Sequence, residues 1–141
     1  MLGRLLGTWE LISWHNDAAD GTRHHPLGED ATGQIIYAAD GHVSVALSAA
    51  DRTPFAVNDP FGGTDAENAA AMRSHITYVG HFTLDGKAVI HHVHHASCPN
   101  WVGTRQRREV TFWPNGTLQL SASDVLFDGQ NVTATVLWKR P

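Results

Sequence analysis

Four histidines fall within five residues, His91-His92-Val93-His94-His95, and further along the chain Gln106 and Arg108 stand two apart in Thr104-Arg105-Gln106-Arg107-Arg108. An imidazole can move a proton near neutral pH, while an amide beside a guanidinium can hold a carbonyl or an oxyanion. Residues two apart on a strand share a face, so Gln106 and Arg108 point the same way, and so do His92 and His94. A His-x-His pair of that kind can ligate zinc or another divalent ion, with His81, diagonal to His92 in the hairpin described below, as a third donor. No Asp or Glu is placed to fix the tautomers of His81, His92 and His94, so they are read as solvent-facing rings and no metal site is assigned.

These groups need rigid elements to position them, and the turn signals define those elements. Short β-prone runs alternate with Gly, Pro, Asn and Asp clusters, the pattern of an all-β barrel or sandwich. Strands are expected over Thr8–His15, Gln34–Ala38, His42–Ser48, His75–Thr83, Lys87–Ala96, Thr104–Phe112, Thr117–Ser123 and Asn131–Lys139. Asp40-Gly41, Asp85-Gly86 and Asp128-Gly129 mark hairpins. Thr64-Asp65-Ala66-Glu67 ahead of Ala69-Ala70-Ala71-Met72 is a capping box opening one short helix after a loop over 51–63. About eight strands in up-and-down order close into an antiparallel barrel of about the size that holds one small ligand. A chain of 141 residues with 42% hydrophobic and 17% charged residues suits one such domain.

A two-residue turn at Asp85-Gly86 sets Leu84 opposite Lys87, Phe82 opposite Val89, Gly80 opposite His91, Tyr78 opposite Val93 and Ile76 opposite His95. That face is the more apolar one, which sends Tyr78, His91 and His95 to the inner wall. On the next strand Arg105, Arg107 and Glu109 form a charged outer face, leaving Gln106, Arg108, Val110 and Phe112 inside. An inward guanidinium is costly without a polar partner, so something anionic or strongly polar is expected to meet Arg108. Trp9 reads as a plug at the closed end, and Trp101 belongs to the rim as packing or as a ligand lid.

Gly7-Thr8-Trp9, Ile36-Tyr37 before Asp40-Gly41, Tyr78-x-Gly80, His91-His92-Val93 and above all Pro99-Asn100-Trp101-Val102-Gly103-Thr104-x-Gln106-x-Arg108 together resemble the bacterial and fungal lipocalin-like domain family. The resemblance covers nearly the whole chain. It implies a calycin-type barrel with a ligand-sized interior, in a family some of whose members are encoded with small-molecule biosynthetic or catabolic genes. The family-like positions that map to polar inner-wall groups are His91, Gln106 and Arg108, with Tyr78 nearby. The extra histidines around His91 depart from the family pattern.

Two functional classes follow. The first is a binding or carrier protein for a hydrophobic or aromatic molecule bearing a carbonyl or carboxylate, contacted by Tyr78, His91, His95, Trp101, Gln106 and Arg108. The second is a cofactor-free isomerase, cyclase or hydro-lyase with His91 as acid or base and Arg108 with Gln106 stabilising an oxyanion. No Gly-rich phosphate loop, nucleophile elbow or paired-carboxylate signature is present, which sets aside nucleotide, hydrolase and glycosidase chemistry. No cofactor is expected. A net charge of -4, with no basic run longer than Arg107-Arg108, argues against nucleic acid. No segment reads as a membrane span, and the stretch before Trp9 is too short for a signal-peptide core, so the cytoplasm is the expected location. A homodimer through an outer sheet face is the default for oligomeric state.

Overall fold

The structure, a computed structural model, describes residues 1–141. A four-residue helix α1 (Leu2–Leu5) leads into β1 (Gly7–Ala18), a two-residue strand β2 (Arg23–His24), β3 (Thr32–Tyr37) and β4 (His42–Ser48). Helix α2 (Asp65–Arg73) then precedes β5 (His75–Asp85), β6 (Ala88–Ala96), β7 (Arg105–Phe112), β8 (Leu118–Phe127) and β9 (Gln130–Lys139). All strand pairings are antiparallel, in the order β2-β1-β3-β4-β5-β6-β7-β8-β9. Pairing of β1 with β9 along most of their length closes the eight long strands into a barrel, which removes the sheet edges. Helix α2 carries the expected capping box, the Thr64 side chain accepting from the Glu67 amide and Glu67 reaching back to the Thr64 amide.

Helix α1 was not foreseen, and it closes one end. Its last residue, Leu5, is fully buried, and its carbonyl accepts from the indole Nε1 of Trp9 at 2.9 Å. Trp9 is thus the plug of that end. Outside it, the Arg140 guanidinium lies 3.7 Å from the Trp9 ring and donates to the Arg4 and Thr8 carbonyls.

The β5–β6 hairpin differs from the expected register by two residues. Asp85 pairs with Ala88, so Gly86 and Lys87 form the turn, and Leu84, Phe82 and Gly80 stand opposite Val89, His91 and Val93. Centring the turn on Asp85-Gly86 would have required a positive φ at Asp85 if it were type I′. Gly86 (φ 60) instead occupies the first central position, the place a type II′ turn reserves for glycine. At the β8–β9 hairpin Asp128 (φ 48) and Gly129 (φ 76) do form the positive-φ pair. Because the shift is even, every side chain of the β5–β6 hairpin up to His91 keeps its expected face.

A β-bulge then breaks that parity. Gly80 pairs with Val93 but Val79 pairs with His95, so His94 is the extra residue and Tyr78 comes to stand opposite Ala96. A Cβ on Gly80 would lie 1.8 Å from the His92 carbonyl oxygen, so only glycine admits this approach. His95, expected on the inner wall, is therefore exposed on the outside, and Ala96 has its inner place.

A second irregularity opens the wall. The ladder between β7 and β8 ends at Glu109–Ser121, although β7 begins at Arg105 and β8 runs on to Phe127. Beyond that point β8 carries a bulge between Ala122 and Val125, with Asp124 at φ 55, and follows β9 instead. The two strands part, leaving a lateral cleft beside Arg105–Arg108.

Candidate functional site

Above the buried aromatic plug the barrel contains a narrow cavity of about 60 Å³ that opens at one mouth. Thirteen of its fourteen lining residues are hydrophobic, among them Trp14, Tyr78, Trp101 and Trp138. The fourteenth is Arg108, the one charged group on the wall. Trp101, in the short 3₁₀ turn Pro99–Trp101, sets its ring edge-on to Tyr78 at 5.7 Å and lines both the cavity and the cleft. It is a wall residue at the mouth.

His91 does not reach this cavity. It is almost fully buried behind Tyr78, and both ring nitrogens are engaged, Nε2 with the Tyr37 hydroxyl at 2.8 Å and Nδ1 with the Tyr78 hydroxyl at 2.7 Å. Burial, with a smaller contribution from the Arg108 charge, lowers its pKa from 6.5 to about 3, so the ring is neutral at physiological pH. Tyr37, not anticipated as a site residue, is on the inner face because it pairs with Val43 in the β3–β4 hairpin. The alternation of Ile35 and Tyr37 was the available signal, but its contact with His91 spans 54 positions.

A neutral imidazole donates from one nitrogen and accepts at the other, so the ring donates to one of the two tyrosine hydroxyls and accepts from the other. Tyr78 lines the cavity. Burial pushes the Tyr78 phenol up, and the Arg108 guanidinium, which hydrogen-bonds it, opposes that shift. Arg108 and Tyr78 thus stand together as the polar groups of an otherwise apolar wall.

Arg108 donates through Nη2 to Gln106 Oε1 at 2.7 Å and through Nη1 to the Arg107 carbonyl at 3.1 Å. The five ion pairs of the structure leave it without a carboxylate. The polar partner expected for Arg108 is thus Gln106 and not a carboxylate, and the guanidinium is half-buried beside the cleft. Gln106 lies on the cleft side and not on the cavity wall. Trp138 lines the cavity, and its Nε1–H is the one buried side-chain polar atom with no partner.

On the outer face His81 pairs directly with His92, not diagonally, and the two rings stack at 4.3 Å. His81 Nδ1 lies 2.9 Å from His94 Nε2, and His92 Nε2 lies 2.8 Å from Thr83 Oγ1. These nitrogens are turned to one another and to a hydroxyl, and no group of three His, Cys, Asp or Glu side chains is arranged to hold a metal ion. No helix is long and apolar enough to cross a membrane.

Among known proteins, the chain is 46% identical, over 34% of its own length and 50% of the relative's, to a fungal protein. That relative is the 4'-hydroxy-3'-methoxypropiophenone carrier protein ppsC of Aspergillus oryzae, so the match spans about half of it. A solved redesigned beta barrel is similar with a TM-score of 0.46 and 12% identity, covering 99% of this chain and 93% of that one. The model of the lipocalin-like domain matches residues 6–141, and this chain belongs to that family.

Proposed function

We propose that this protein binds a small aromatic or otherwise hydrophobic molecule bearing a carbonyl or carboxylate inside the barrel, as a carrier. The observation that carries the reading is the apolar cavity whose only charged wall group, Arg108, stands beside the Tyr78 phenol. An apolar pocket with a few convergent donors selects a ligand with an apolar body and a localised acceptor. The fungal relative is named for carrying a propiophenone, an aryl ketone, which is the same chemical class.

The catalytic alternative loses its acid or base. With a pKa of about 3 and both nitrogens held by tyrosines, His91 is too weak a base near neutral pH and has no free edge toward the cavity. It is a positioning residue that fixes the Tyr78 hydroxyl.

Titration of tryptophan fluorescence with 4'-hydroxy-3'-methoxypropiophenone, and with the analogue in which the carbonyl is replaced by CH₂, tests the reading. The ketone should bind about 10-fold more tightly or better, as a hydrogen bond to a charged donor implies. Tyr78→Phe and Arg108→Gln should each shrink that ratio. Absence of ketone binding, or equal affinity for both compounds in the unmodified protein, would refute it.

A further inference from the structure

The cavity and the lateral cleft adjoin: Trp101, Arg108, Val125 and Phe127 line both and form the waist between the apolar interior and a polar trough where β7 and β8 part. The trough is lined by Arg105, Gln106, Arg107, Ser121 and Ser123 among others. Of its arginines, Arg107 is neutralised by Asp85 and Glu109. Arg105 and Arg108 have no carboxylate partner. A closed ladder would seal this wall, yet a bulge with Asp124 in the left-handed region directs β8 away from β7 where the two cations stand.

Resting on the binding role proposed above, we infer that the natural ligand has two parts: an apolar body in the cavity and an anionic arm that passes the waist at Arg108 and leaves the barrel sideways, held by Arg105. The chemistry recognised is an aryl or alkyl ketone carrying a carboxylate on a short chain. The body supplies the apolar burial, the carbonyl meets Tyr78 and Arg108, and the carboxylate gains a cation at the solvent edge, where the attraction is modest and salt-dependent.

Butyrophenone and 4-benzoylbutyrate share the aryl ketone and the three-carbon chain and differ by the terminal carboxylate. Calorimetric titration of both, at low and at high salt, is the test. The carboxylate should bind about 5- to 10-fold more tightly at low salt, and the difference should fade as salt rises. Arg105→Gln should abolish the preference and leave butyrophenone binding unchanged. Ser123→Trp, which fills the trough, should weaken 4-benzoylbutyrate alone. Equal affinities in the unmodified protein, or a preference that survives both substitutions, would overturn the cleft as the arm's site while leaving the cavity reading intact. Failure of both compounds to bind would remove the cavity reading and the cleft with it. Binding of the carboxylate alone, lost in Arg105→Gln, would support the cleft.

Discussion

The Nδ1 of His91 and the hydroxyl oxygen of Tyr78 lie 2.7 Å apart, and this contact makes a buried imidazole the support of a tyrosine on the cavity wall. Tyr37 holds the opposite nitrogen, so the ring cannot turn without breaking a buried hydrogen bond.

The stability of the protein should depend on His91 in acid. Its folded-state pKa is about 3 against 6.5 when unfolded, so between those values the unfolded chain binds the extra proton and stability rises with pH. The contribution is present above about pH 6.5 and is lost as pH falls toward about 3, up to roughly 5 kcal/mol. Urea unfolding at pH 7 and pH 4.5 should show the loss, and His91→Gln should flatten it. A His91 ring resonance that titrates near pH 6 would contradict the buried neutral state.

Tyr37→Phe removes the hydroxyl partner of His91 Nε2 and leaves a buried ring nitrogen unpaired. The expected cost is about 1–3 kcal/mol in unfolding free energy. The Tyr78 hydroxyl keeps its hydrogen bond with Nδ1, so ketone affinity should stay within about twofold. A large loss of affinity with unchanged stability would show that Tyr37 contacts the ligand.

Gly80→Ala places a methyl 1.8 Å from the His92 carbonyl oxygen, and backbone must move to admit it. The variant should be destabilised by about 2–3 kcal/mol or more. Amide chemical shifts of Val93 to Ala96 should change most, because the bulge is where the strain falls. Stability within about 0.5 kcal/mol of the parent would mean that the close approach is not required.

Arg140→Ala strips the cation from the Trp9 ring and its bonds to the Arg4 and Thr8 carbonyls at the closed end. Thermal unfolding should register a loss of about 1 kcal/mol. Ligand affinity should not change, since neither Trp9 nor Arg140 lines the cavity.

Much of the barrel was legible in the chain itself, because strand side chains alternate with a period of two and that period survives any even error in register. The Asp85-Gly86 hairpin illustrates it: the turn sits one residue further on, yet Tyr78, Phe82 and His91 keep their inward faces. The same alternation placed Gln106 and Arg108 on one side of β7. It failed at His95, where a bulge inserts one residue and reverses the parity beyond it. Gly80 was visible in the sequence, but the carbonyl that a Cβ would strike belongs to the neighbouring strand.

The sequence by itself determined the closed antiparallel barrel, the capped helix α2 and the inward setting of Tyr78, His91 and Arg108, since these follow from local periodicity and turn chemistry. Only the tertiary structure decided that Tyr37 claims the far side of His91, that His91 stands behind the cavity wall, and that β7 and β8 part beside Arg105 and Arg108. Those outcomes depend on bulges and on contacts between strands distant along the chain, whose geometry no short-range pattern encodes.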